Sequence, residues 1–93
     1  MTLQELITLA EDRDLSKSYV KADGLYIWDY KLQINGANNF ELELVLIPST
    51  SGKVGFDDKV SIQELVNYVN QETQEPLANL PITGVEGITI AKI

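Results

Sequence analysis

The chain reads as an α+β protein on three observations. Two hydroxyl-x-x-Glu capping boxes, Thr2-Leu3-Gln4-Glu5 and Ser61-Ile62-Gln63-Glu64, each open a stretch of helical periodicity. Between them the period falls to two: Tyr26, Trp28, Tyr30, Leu32 and Ile34, then Phe40, Leu42, Leu44 and Leu46, take every second position. The final stretch, residues 87–93, is rich in β-branched side chains. The expected arrangement is one small domain over residues 1–93. It runs helix, antiparallel hairpin or three-stranded sheet, helix, C-terminal strand, with both helices on one sheet face.

The first helix is expected over residues 3–12, where Leu3, Leu6, Ile7 and Ala10 recur on one side. Residues 18–20 read either as a short strand that turns at Ala22-Asp23-Gly24 or as a packed loop. The hairpin has an arguable register. A two-residue Asn35-Gly36 turn would set Lys31 opposite Phe40 and mix the faces. A five-residue loop, Asn35 to Asn39, pairs Ile34 with Phe40, Leu32 with Leu42, Tyr30 with Leu44 and Trp28 with Leu46. It also sets Lys31 across from Glu43, a favourable pair. A slip of one residue inverts every side chain, so the longer loop is preferred. On this register Trp28, Tyr30, Leu42 and Leu44 share the buried face.

A third strand is expected near residues 53–56, its register ambiguous. The second helix runs from 62 to 72 on Ile62, Leu65, Val66 and Val69, and Pro76 prevents a long continuation. Residues 73–84 read as an irregular connection. The two helix starts resemble one another, but their flanks do not match, which speaks for convergence on a good helix start over an internal repeat.

Composition limits function more sharply than it assigns it. There are 93 residues, 7 Lys and Arg against 14 Asp and Glu, a net charge of −7, and neither His nor Cys. That excludes a disulfide framework, a thiolate nucleophile, a serine–histidine triad and metal sites built from His or Cys. The longest aliphatic run, Leu44 to Ile47, is far short of the ~20 residues of a membrane span. With no signal-peptide pattern, a cytoplasmic location is expected. The acidic balance opposes direct nucleic-acid binding, which depends on Lys and Arg displacing counterions.

The motifs are weak as chemistry. Ser51-Gly52-Lys53 lacks the preceding glycine and following hydroxyl of a phosphate loop, having Ile47 and Val54 there. Asp57-Asp58 lacks the alternating oxygen ligands of a calcium loop and suits a helix N-terminus. Asp29, Glu41 and Glu43 share a hairpin face with Lys31, but a flat face does not desolvate a carboxyl enough to make it catalytic. No enzyme activity, cofactor or metal is expected.

The outer hairpin face is the pattern that points to binding. It would gather Leu25, Ile27, Val45 and Ile47 at one end and Asp29, Lys31, Gln33, Glu41 and Glu43 at the other, with Asp57 and Asp58 as a further acidic patch. The expected function is a small non-enzymatic module that inhibits or neutralises a basic, nucleic-acid-binding protein. A nuclease, toxin or nucleic-acid-guided effector fits, in the manner of phage anti-defence or immunity proteins. Duplex DNA carries one charge per ~1.7 Å, so a ~30 Å face would present about 18 charges. A net −7 therefore suits partial mimicry with apolar anchors. The alternative is an assembly subunit, such as a homodimer formed through the sheet.

Overall fold

The computed structural model describes residues 1–11, 14–46 and 59–92. Two helices, α1 (Leu3–Leu9) and α2 (Ile62–Glu72), accompany five strands: β1 (Ser18–Ala22), β2 (Leu25–Ile34), β3 (Phe40–Leu46), β4 (Ile82–Thr83) and β5 (Ile88–Lys92). The strands form one mixed, curled sheet in the order β4-β3-β2-β1-β5. β4 lies parallel to β3, and the other pairings are antiparallel. The third strand expected near residues 53–56 lies outside the described residues.

At α1 the full capping box forms. Thr2 Oγ1 accepts from the Glu5 amide and Glu5 Oε1 accepts from the Thr2 amide, both at 3.2 Å. The helix ends at Leu9, earlier than expected, because Glu11 turns left-handed at φ 54°. At α2 only half of the box closes. Ser61 Oγ accepts from the Glu64 amide at 3.1 Å, whereas the Glu64 carboxylate accepts from the Tyr30 hydroxyl at 2.6 Å. A tertiary partner has taken the group that the local motif would use.

Residues 18–22 form a true strand. Asp23 and Gly24 both have positive φ, 52° and 80°, and join β1 to β2 through a two-residue turn of the primed type. The five-residue loop after β2 is organised by Asn35. Its Oδ1 accepts from the Ala37 and Asn39 amides at 2.9 and 3.2 Å, and its own amide donates to Asn39 O at 2.9 Å. The β2–β3 ladder then runs Ile34–Phe40, Leu32–Leu42, Lys31–Glu43 and Tyr30–Leu44.

Beyond Tyr30 the expected register fails. The ladder shifts between Ile27 and Asp29, so that Ile27 pairs with Leu46 and Asp29 with Val45. Trp28 is the additional residue of a β-bulge. The bulge reverses the parity of the strand: Ile27 and Tyr30 face inward, and Trp28 and Asp29 both face outward. Ile27 is 0% exposed in the core, and Trp28, expected inside, is 44% exposed. The physical reason is visible in the apolar phase. Ile27 has one parity and Tyr30 and Leu32 the other, and an inserted residue lets all three face the core.

The part of the chain expected to be irregular, 73–84, supplies β4. The Leu42 amide donates to Pro81 O at 2.9 Å and the Ile82 amide to Met1 O at 2.8 Å, so the start of the chain and β3 flank this short segment. Both helices and the inward side of the sheet feed one core. α1 contributes Leu3 and Leu6, α2 contributes Ile62, Leu65 and Val69, and the strands contribute Val20, Ile27, Leu42 and Leu44. Each such side chain is worth ~1.5–3 kcal/mol of burial. Among the described residues no helix is long and apolar enough to cross a membrane.

Candidate functional site

The outward residues of β2 and β3 are the alternates of the core positions. They comprise Trp28, Asp29, Lys31 and Gln33 on β2 and Glu41, Glu43 and Val45 on β3. Lys31 Nζ lies 3.6 Å from Glu43 Oε1. Gln33 Nε2 donates to Glu41 Oε1 at 2.8 Å and, more weakly, to Glu43 Oε2 at 3.5 Å. This cross-strand bracing spreads the two glutamates along β3 rather than leaving them to sweep freely.

Asp29 is held differently. Its Oδ1 accepts from the Tyr30 amide at 2.8 Å, an amide that the alternation of the ladder points away from β3, like that of Leu32. The carboxylate retains acceptor capacity toward solvent. Opposite it, Val45 is 38% exposed.

Of the residues expected to form a binding face, Asp29, Lys31, Glu41, Glu43 and Val45 therefore occupy one surface. Ile27 does not belong to it, since the bulge sends it into the core where no partner reaches. Ile47, Asp57 and Asp58 lie outside the described residues. The residue that sequence reasoning missed is Trp28. Its signal was the change of apolar phase along β2, masked because Tyr26 and Trp28 are themselves aromatic.

Nearer β1 the same sheet carries opposite charge. Lys21 Nζ and Lys59 Nζ sit 4.9 and 4.6 Å from the ring centroid of Tyr26. Cations at that distance are attracted to the ring quadrupole.

A second feature lies where α2 meets the side of β2 turned away from β3. β1 pairs with β2 only through Lys21–Tyr26 and Ala22–Leu25, and then leaves it: the Val20 amide donates to Val60 O at 3.0 Å. Side chains of α2 serve the edge thus vacated. The Leu32 amide donates to the Tyr68 hydroxyl at 2.9 Å, and Tyr30 and Tyr68 meet edge-on with centroids 4.9 Å apart. An open cleft of about 390 Å³ lies here, lined by Ser16, Tyr30, Ser61, Glu64, Asn67 and Tyr68 among others. Burial, reinforced by the bond to Glu64, holds the Tyr30 phenol well above its ordinary pKa. That direction makes it a poorer proton donor near neutrality, whereas an acid catalyst works best with a pKa near the working pH. Beside the cleft, Tyr68 closes this stretch of the sheet edge.

Among the described residues no three or more carboxylates gather closely enough to hold a metal ion. No protein-family model, curated protein or solved structure matches this chain.

Proposed function

We propose that the chain is a non-enzymatic binding module that docks on a basic protein through the outer face of β2 and β3. Its effect there is to inhibit or neutralise a nuclease, toxin or nucleic-acid-guided effector, as intracellular anti-defence and immunity proteins do. The observation that carries this reading is the shared face of Asp29, Glu41, Glu43 and Val45, with two glutamates braced by Gln33 and Lys31. The net charge of −7 adds long-range attraction to a basic surface. Such charge speeds encounter and orients the partners, whereas the apolar contact slows release.

Affinity capture from the native host at low and high salt tests the reading, followed by kinetics with the captured protein. Reversing Glu41 and Glu43 to Lys should lower the association rate and flatten its salt dependence while leaving the fold intact. Replacing Val45 by Asp should raise the dissociation rate. If neither change alters binding, the face is not the site.

The second reading, an assembly subunit, draws on β5. It ends the sheet and pairs with β1 on one side, and no other described strand pairs with it. Such an edge is a template for another chain. Sedimentation over a range of concentrations, giving a dimer indifferent to salt with no basic partner captured, would favour this reading.

A further inference from the structure

Trp28 is the only tryptophan of the chain. It is 44% exposed and is not among the half-buried side chains packed against the core. The bulge places it beside Asp29 and opposite Val45, so one outward patch holds a large aromatic surface, an aliphatic neighbour and a carboxylate. We infer that this patch is the anchor of a docking surface for a basic protein, and that it seats an arginine side chain of that partner. The guanidinium would lie on the indole and hydrogen-bond to Asp29. The inference rests on the acidic-module reading and adds to it the residue that carries the affinity.

Three physical arguments select this occupant. The first is charge: on the outward side of β2 and β3, Asp29, Glu41 and Glu43 stand against Lys31, which is already paired with Glu43 at 3.6 Å, while Lys21 and Lys59 lie toward β1 with their charges on the Tyr26 ring. A second copy of the chain would approach this patch with the same net negative charge, an unfavourable match. The second is preorganisation. Asp29 is fixed by the Tyr30 amide at 2.8 Å, so little conformational freedom remains to be lost when a donor arrives. The third is shape. A planar guanidinium both stacks on an aromatic face and forks onto a carboxylate, whereas a lysine ammonium is a compact, strongly hydrated point charge. Tryptophan and arginine are also the residues that most often dominate binding energy at protein interfaces. The bulge is what creates the site, because regular pairing would put the indole of Trp28 under the helices.

Because Trp28 is the only indole, its emission reports this patch directly. The probe is an unstructured arginine–serine peptide labelled for anisotropy, compared at physiological salt with a lysine–serine peptide of equal length and charge. The arginine peptide should change the Trp28 emission, protect it from acrylamide quenching, and bind about tenfold more tightly than the lysine peptide. Trp28→Ala and Asp29→Asn should each weaken it about tenfold, and Trp28→Tyr should recover part of the loss. Thermal melts of the variants confirm that each is folded.

If Trp28→Ala binds the arginine peptide as the parent does, while reversal of Glu41 and Glu43 abolishes binding, the anchor is refuted and the acidic-module reading survives. If both peptides bind equally, arginine recognition is refuted. If neither binds, or if emission changes with protein concentration alone, the patch has another occupant and the inference falls.

Discussion

At the scale of single residues, the close approach of β4 to β3 depends on one missing side chain. Gly84 has φ +89°, and a Cβ there would stand 2.5 Å from the Leu44 carbonyl oxygen and 3.0 Å from Glu43 Cγ. Any other residue meets both a left-handed backbone penalty and a clash with main chain that cannot rotate away. Gly84→Ala is therefore expected to destabilise the fold by ~1–3 kcal/mol, measured by urea denaturation. A change within about 0.5 kcal/mol would mean that β4 does not sit against β3 as described. Trp28 makes the complementary point. One residue inserted in a ladder removes the largest aromatic of the chain from the core and substitutes Ile27.

At the scale of elements, the edge of β2 explains why α2 carries two functions. A strand edge with unpaired amides invites association with other chains, and this one is blunted by side chains. Asp29 takes the Tyr30 amide and Tyr68 takes the Leu32 amide. Tyr68→Phe leaves the Leu32 amide without its acceptor and should cost ~1–3 kcal/mol, with greater self-association on dilution series as a second readout. Tyr30 gives the pH dependence. Its pKa is raised in the folded chain, first by burial and then by its bond to Glu64. The folded state thus holds this proton more tightly than the unfolded state. The contribution is complete below the unfolded phenol value of ~10 and is lost as pH rises beyond it. Stability measured by denaturant from pH 8 upward should fall above about pH 10, and Tyr30→Phe should make that fall shallower. An unchanged profile in the variant would contradict the assignment.

At the scale of the whole molecule, the core is a single cluster to which both helices and four of the strands contribute. Leu44, 1% exposed, lies within it on β3, the strand flanked by both β2 and β4. Leu44→Ala is expected to cost ~2–5 kcal/mol, a large share of the stability of a chain this small, as read from the denaturation midpoint. A cost below about 1 kcal/mol would mean that the inward face has been misassigned. The same architecture leaves the opposite face of the sheet to charged and aromatic residues, acidic along β2 and β3 and cationic around Tyr26.

Local rules were enough for what depends on neighbours in sequence. The Thr2 capping box, the start of α2 at Ser61, and the Asn35 loop with its register from Ile34–Phe40 to Tyr30–Leu44 follow from hydrogen bonds and alternation over a few residues. So do five of the outward residues, Asp29, Lys31, Glu41, Glu43 and Val45. Tertiary structure alone decided the bulge, because either parity of β2 offers apolar residues and only the shape of the shared core selects between them. It also decided that Glu64 serves Tyr30 instead of its own helix cap, and that Ile82 and Thr83 add a parallel strand. A two-residue strand has too little pattern to be recognised in isolation. Its existence comes from the Met1 and Pro81 carbonyls and the β3 amides that meet there only once the chain has folded.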